Sequence, residues 1–124
     1  MHKKYECSIF VLMHNNNKNT PSIIKISELT DTPKKALVSI AGLLVIKQRP
    51  STASGVTFLS LEDESGTANV ICWEKIYEEH RSYILNGNLL KITGNIEKQG
   101  ELINIIANKI ENLSYLLEKI DQIP

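Results

Sequence analysis

Short runs of β-branched and apolar residues dominate the middle of the chain, and they predict β-strands. The first run, LVSIAGLLVIKQR, begins at Leu37 and contains Gly42. A glycine inside a strand often marks a bulge or a sharp bend, such as the corner of a barrel. We therefore expect a long first strand that bends at Gly42.

Two more strands are predicted on either side of an acidic turn. The runs VTFLSLED and TANVICW are joined by ESG, a connection short enough for an antiparallel hairpin. Residues 50–55, PSTASG, separate this hairpin from the first strand and have the composition of a loop.

The spacing of apolar residues then becomes helical. EKIYEEHRSYIL, from Glu74 to Leu85, predicts one helix. LLKITGNIEKQGELINIIANKIENL predicts two strands that meet at Glu97–Glu101, where Gly100 supplies the turn. The tail LSYLLEKI predicts a second, amphipathic helix, whose apolar stripe is Leu113, Leu116, Leu117 and Ile120.

The resulting order is strand, strand, strand, helix, strand, strand, which is the order of the OB-fold. We predict a mainly β protein: a five-stranded OB-fold barrel with a helix between strands 3 and 4 and a C-terminal amphipathic helix. An open five-stranded sheet with a helix on one face is the alternative, and Gly42 favours the closed barrel because closure needs a sharp bend. Residues 37–113 form the predicted barrel domain and 114–124 the C-terminal helix. Residues 1–36 form an N-terminal extension with a short strand or helix and an Asn-rich loop.

Composition and charge limit the class of protein. The 124 residues are enough for one domain with a core that needs no metal or disulfide. The 14 basic residues balance the 14 acidic ones. The first fifty residues hold eight basic and three acidic side chains, and the remainder holds six and eleven. This asymmetry fits either a basic patch for a polyanion or two differently charged surfaces without a partner.

Neither a metal site nor a cofactor site is predicted. Cys7 and Cys72 are far apart, and the three histidines are isolated from any ligand spacing. Cys72 lies in an apolar run, which is typical of a buried, reduced thiol. The apolar segment Ile9–Met13 is too short for a signal peptide, and no run approaches the length of a membrane helix. The sequence therefore predicts a cytoplasmic protein without a membrane partner.

The segment VSIAGLLVIKQRPSTASGVTFLSLEDESGTANVICW resembles a known family. It is similar to the C-terminal OB-fold domain of bacterial DNA polymerase III α subunits, above all those of the error-prone, damage-tolerant branch. The likeness covers roughly residues 37–113. The positions that match in register are Ala41–Leu44, Gln48–Pro50, Leu61–Glu64, Gly66, Ala68–Asn69, Trp73, Leu89–Leu90, Gly94, Gly100–Glu101 and Ala107.

The resemblance implies a non-catalytic domain that acts in DNA replication or repair. Such polymerases are far longer chains, and their catalytic acids lie in a palm domain that has no counterpart in these 124 residues. The chain looks like the terminal module standing alone, as a separate small protein, a remnant of a split gene or a piece of a longer chain.

The three consecutive acids Glu62, Asp63 and Glu64 are the one cluster that suggests metal catalysis. Metal catalysis needs carboxylates that converge on one point, whereas consecutive residues of an extended chain alternate between faces. Asp63, just before Gly66, is better explained as a cap on free backbone N–H groups of the turn. No nucleophile–base set or phosphate-binding loop is present in the sequence, so the chain is not predicted to be an enzyme by itself.

The sequence predicts a binding site for single-stranded nucleic acid, with DNA favoured over RNA. OB-folds hold a single strand with stacked aromatic rings and a positive groove, using strands 2 and 3 and two loops. We expect two or three cations to surround two rings, and binding to be weak, sequence-tolerant and salt-sensitive. The predicted site residues are Lys47, Arg49, Phe58, Trp73 and Lys98.

Each site residue also has a structural interpretation. Phe58 is more typical of a core residue than of a stacking platform, Trp73 fits either role, and Lys98 on a turn is commonly just solvated. Arg49 is the strongest candidate, because its loop lacks nearby acids and a guanidinium both pairs with phosphate and stacks on a base.

Two other functions are compatible with the sequence. The domain could be a protein-interaction module that docks to polymerase or repair partners, which its neutral charge favours, together with the tail stripe if that stripe is not used in the core. It could also be a tRNA-binding OB domain, as in aminoacyl-tRNA synthetases. The oligomeric state is left open.

Overall fold

Five strands form a closed barrel in this computed structural model, which describes residues 21–50 and 55–117. They are β1 (Leu37–Gln48), β2 (Val56–Asp63), β3 (Gly66–Trp73), β4 (Leu89–Gln99) and β5 (Leu102–Asn112). Around the barrel the order is β1-β2-β3-β5-β4, and β4 pairs back to β1. The predicted OB-fold barrel is confirmed, and the open sheet is excluded.

Closure depends on one long strand and one narrow pairing. The first half of β1 pairs with β4 and its second half pairs with β2, and Leu43 is the residue shared by both pairings. On the far side of the barrel, β3 and β5 run parallel through three pairs, Asn69 with Asn104, Val70 with Ile105 and Ile71 with Ile106. We call this parallel pairing the seam.

Gly42 lies where β1 changes partner, but the strand irregularity comes slightly later. The register with β2 shifts between Leu44 and Ile46, so the expected bulge is not at the glycine itself. A Cβ atom on Gly42 would lie 2.6 Å from the backbone oxygen of Glu62. The glycine is therefore explained by the close approach of two strand backbones at the bend.

The predicted single helix at Glu74–Leu85 is wrong in its continuity. The segment forms two short helices, α1 (Glu74–Glu79) and α2 (Arg81–Asn86), separated by His80. His80 has φ −120° and ψ 21°, and its ring Nδ1 lies 2.9 Å from the carbonyl oxygen of Ile76, which also accepts the His80 backbone N–H. Tyr77 and Ile84 still bury their side chains against the barrel.

The segment before β1 contains a short 3₁₀ helix, Ile26–Asp31. Its residues Ile26 and Leu29 are buried in the main core inside the barrel. Just before it, Ile23 forms an isolated parallel bridge with Ser39. The segment thus closes one end of the barrel.

A second, smaller core lies outside the barrel, on the β1–β4 side. We call this the covered face. It consists of Ile23, Ala41, Leu89, Leu113 and Leu116, and residues 115–117 begin a helix. Two members of the predicted tail stripe are therefore core residues and Leu117 packs beside them, whereas Ile120 lies outside the described residues.

Candidate nucleic-acid interface

The acidic turn between β2 and β3 is structural, as predicted. One carboxylate oxygen of Asp63, Oδ1, accepts hydrogen bonds from the Ser65 N–H at 2.7 Å, the Ser65 hydroxyl at 2.6 Å and the Gly66 N–H at 3.0 Å. The other oxygen accepts from the Ile26 N–H at 2.9 Å and so anchors the 3₁₀ helix. Within residues 21–50 and 55–117, no group of three or more His, Cys, Asp or Glu side chains could hold a metal ion.

Phe58 and Trp73 both point away from the core. Along β2 and β3 every second residue is buried, and these two residues occupy the other positions, with 39% and 53% of their surface exposed. The interpretation of Phe58 as a core residue is wrong, because its neighbours Thr57 and Leu59 face inward instead.

Strand register brings the two rings close together. Phe58 pairs with Ile71, and Trp73 follows Ile71 by two residues, so the two aromatic residues are diagonal neighbours. Diagonal neighbours in an antiparallel pair lie about 7–8 Å apart, within reach of large side chains. Gln48 on β1 and Ile106 on β5 extend this row on either side.

We call the surface around these rings the open face. It is the part of the outward surface of β1, β2, β3 and β5 that surrounds the two rings, and at the acidic turn the outward surface continues to Glu62 and Thr67. Its nine residues are Ile46, Gln48, Phe58, Ser60, Asn69, Ile71, Trp73, Asn104 and Ile106.

Lys47 is not on the open face. It pairs with Leu59, an inward position, so it alternates with the residues of that face. Its ammonium group donates to the carbonyl oxygens of Ile84 at 3.3 Å and Leu85 at 3.2 Å. Lys47 therefore supports the end of α2, where cations are favoured by the exposed carbonyls.

Arg49 lies at the rim of the open face with its guanidinium engaged elsewhere. It donates to both carboxylate oxygens of Glu74, at 2.8 and 3.1 Å, and stacks 4.0 Å from the ring centre of Tyr77. The hydrogen bond to Glu74 raises the pKa of Arg49 above its ordinary value. The expectation that no acid lies near Arg49 is wrong, because Glu74 is distant in sequence but adjacent in the fold.

Lys98 lies at the opposite end of the barrel. It pairs with Ile103 near the β4–β5 turn, and its ammonium group donates to the carbonyl of Thr30 at 3.1 Å. The seam places Ile103 about five residues from the level of Trp73, or roughly 15 Å along the strands. The predicted ring of cations around two aromatic side chains is therefore not formed, and only the two rings come together.

On the inner side of β3, beneath the two rings, lies the buried side chain of Cys72. Cys72 lies between Ile71 and Trp73 in sequence but faces the core, where it is fully buried. Burial raises the pKa of its thiol to about 11. The predicted buried thiol at Cys72 is confirmed, and Cys7 lies outside the described residues.

Comparison with known proteins decides the family. Residues 38–113 match a family model described as an OB-fold nucleic acid binding domain. The chain belongs to this OB-fold family.

The relatives of this OB-fold domain include error-prone DNA polymerases. It is 51% identical over 77 residues to that of Ruegeria pomeroyi, a match covering 62% of this chain and 7% of that polymerase. With the error-prone DNA polymerase of Pseudomonas fluorescens it shares 47% identity over 83 residues, covering 67% of this chain and 8% of the relative. The predicted resemblance is confirmed, and the chain spans less than a tenth of the length of these curated relatives.

A solved structure agrees on the fold. The asparaginyl-tRNA synthetase from Pyrococcus horikoshii superposes with a TM-score of 0.62 at 14% identity, covering 73% of this chain and 23% of that one. At this level of identity the likeness shows the fold alone. Among the described helices of the OB-fold domain, none is long and apolar enough to cross a membrane.

Several residues of the open face were not singled out from the sequence. Ser60 and Asn69 share the outward parity of Phe58 and Trp73, which could have identified them once strand direction was known. Asn104 and Ile106 have no such signal, since only the parallel seam brings β5 beside β3.

Proposed function

We propose that this OB-fold domain binds single-stranded nucleic acid, DNA in preference to RNA, across the open face. The observation that carries the proposal is the pair of exposed rings, Phe58 and Trp73, at diagonal positions of β2 and β3. Successive bases of a strand stack on such rings whatever their sequence. The preference for DNA is supported by relatives that are named DNA polymerases.

The proposed affinity is modest. Stacking on an aromatic side chain contributes about 1–3 kcal/mol per base, and the open face offers two rings. Lys47 donates to a carbonyl of α2 and Arg49 is paired with Glu74. Both therefore attract phosphate groups less than the sequence suggested. We expect a dissociation constant on the order of 10 μM.

The proposed role is non-catalytic. The three carboxylates of the acidic turn do not converge on one point. Asp63 accepts four hydrogen bonds from the turn and the 3₁₀ helix, whereas Glu62 and Glu64 point to solvent. We place the domain in bacterial DNA replication or repair, and hence in the cytoplasm, as an accessory module related to error-prone polymerases.

The test uses the chain's single tryptophan. Because Trp73 belongs to the proposed site, a base that stacks on it should quench its fluorescence. Unlabelled single-stranded DNA is titrated into the full chain, with duplex DNA and tRNA as competitors. Phe58→Ala should weaken binding roughly 5- to 150-fold.

Tyr83→Ala is the matched control, since Tyr83 is also an exposed ring, at 41%, but lies on α2. This variant should bind like the parent chain. Absence of quenching at tens of micromolar protein, or equal losses in the Phe58 and Tyr83 variants, would refute the proposal. Tighter binding of tRNA than of single-stranded DNA would favour the tRNA-binding alternative.

A further inference from the structure

The open face carries no basic residue. None of its nine residues is charged, and the charged outward residue that follows them on β2, Glu62, is an acid two positions after Ser60. A nucleic-acid strand lying on this face would meet rings, amides and aliphatic groups, with its phosphates facing no cation from the strands themselves.

Two cations beside the face, at the end of β1 and directly after it, are engaged in the fold. Arg49 is bound to a carboxylate and stacked on Tyr77, and Lys47 is bound to two helix carbonyls. Moving either one onto a phosphate would break contacts that the fold already makes. Phosphate attraction is therefore a poor explanation for binding at this surface.

A row of polar side chains runs beside the rings instead. Ser60, Asn69 and Asn104 are register partners across β2, β3 and β5. Within the described part of the chain, none of these three side chains makes a hydrogen bond to another residue. Each asparagine amide offers two donors and one acceptor.

The polar row is parallel to the row that contains Phe58. On every strand the two rows are two residues apart, a distance of about 6.6 Å. At this spacing, Ser60 and Asn69 are within reach of the polar edge of a base that stacks on the ring of Phe58. Unstacked bases are read in this way, by hydrogen bonds to their exposed edges.

We propose that the row of Ser60, Asn69 and Asn104 reads base edges, so that the domain recognises the bases of a single strand rather than its phosphates. The inference rests on the proposed function and adds two properties to it. Binding prefers some bases over others, and it depends weakly on salt. It departs from the sequence-tolerant, salt-sensitive binding expected from the sequence.

The experiment compares oligomers of dA, dC and dT by Trp73 fluorescence of the full chain, and it tests an abasic oligomer of the same length as a competitor that would displace the dT oligomer and restore the fluorescence. The abasic oligomer keeps the phosphates and removes the bases. We expect it not to bind, and we expect the affinities of the base-containing oligomers to differ by about 5-fold or more. Between 50 and 300 mM salt the slope of log affinity against log salt should stay below about 1, the value of one or two phosphate contacts.

Two substitutions of one residue sharpen the test. Asn69→Ala should reduce the differences between oligomers to less than about 2-fold. Asn69→Asp keeps the size and removes the donor, and it should shift the preference toward dC, whose amino group donates a hydrogen bond to a carboxylate. Asn86→Ala, at an exposed residue on α2, is the control and should change neither property.

The outcomes separate the two proposals. Equal affinity for all oligomers, a salt slope of 2 or more, or binding of the abasic oligomer would overturn base reading and leave single-strand binding intact. Failure of every oligomer to bind would refute the proposed function itself. In that case the uncharged face would be better explained as a surface for a protein partner.

Discussion

The barrel has two outer faces that begin on the same strand and differ in what lies over them. On the covered face, Ala41 of β1 and Leu89 of β4 are buried under Ile23, Leu113 and Leu116. On the open face, β1 contributes Ile46, which is 51% exposed. Of the described flanking residues, Ile23 and residues 113–117 pack on the β1–β4 side. The β2–β3 side is the one that we propose for a ligand.

Polar groups on the two faces show the same contrast. On the covered side, the hydroxyls of Ser39 and Thr93 are buried and lie 2.8 Å apart, and the ammonium of Lys91 lies 3.5 Å from Glu111. Buried polar groups need partners of this kind. On the open side, Ser60 and Asn69 have no such partner among the described residues. The polar groups of the covered face therefore lie against one another inside the domain, whereas those of Ser60 and Asn69 are open to solvent.

The largest expected effect comes from the covered face. Leu116→Ala removes a side chain that is 1% exposed, and it should lower the free energy of unfolding by about 2–5 kcal/mol. Leu102→Ala, at a residue that is 50% exposed, is the control and should change it by less than about 0.5 kcal/mol. Urea unfolding measures both. Similar values for the two variants would show that Leu116 is not part of a packed core.

A smaller effect is expected from Cys72, which lies inside the barrel beneath the open face. Its thiol has a pKa of about 11 in the fold, whereas the thiol of an unfolded chain ionises near pH 8.5. The unfolded state therefore loses its proton first, so stability is complete below about pH 8.5 and decreases as the pH rises to 11. The loss should amount to about 1–3 kcal/mol.

The measurement for Cys72 is urea unfolding between pH 8 and 11. Cys72→Ala is the control, and Cys7 is replaced by serine in both chains. The alanine variant should show a shallower decrease, because it lacks the Cys72 thiol and keeps every other titrating group. Parallel curves would mean that water reaches the thiol and that the interior beneath the open face is not dry.

The smallest effect is expected at the rim. Glu74→Gln removes the carboxylate that holds Arg49, and an exposed ion pair of this kind contributes little to stability. The freed guanidinium is then available to phosphate, so the salt slope of DNA binding should rise by about 0.7. Glu79→Gln, at an exposed acid on α1 that does not act on Arg49, should leave the slope unchanged. An unchanged slope in Glu74→Gln would show that Arg49 cannot reach the strand.

The barrel could be predicted from the sequence because its signals are local. Each prediction used only a few adjacent residues: the alternation of apolar and polar residues in β3, the acidic turn, and the glycine in the β4–β5 connection. Gly100, for example, has φ +62° and forms the turn expected of it. The break at His80 could not be predicted, since the apolar spacing runs through it without interruption.

The site was predicted less well because its geometry is non-local. In β2, apolar residues occupy both parities, so the sequence could not show that Phe58 faces outward and Leu59 inward. The pairing of Arg49 with Glu74 joins residues 25 positions apart. Cations that look free along a chain are often bound in the fold, and register alone decides which side chains share a face.

The seam is the weakest strand pairing beneath the open face, so a ligand bound there should stabilise it. Three register pairs join β3 to β5, against ten between β4 and β5, so this pairing is the narrowest join in the described barrel. A nucleic-acid strand bound across Phe58, Ile71 and Ile106 would contact both β3 and β5 and so hold the two strands together. Amide hydrogens at Val70 and Ile105 should then exchange more slowly in the occupied domain, because the ligand would suppress local breathing where the protein has the fewest bonds of its own.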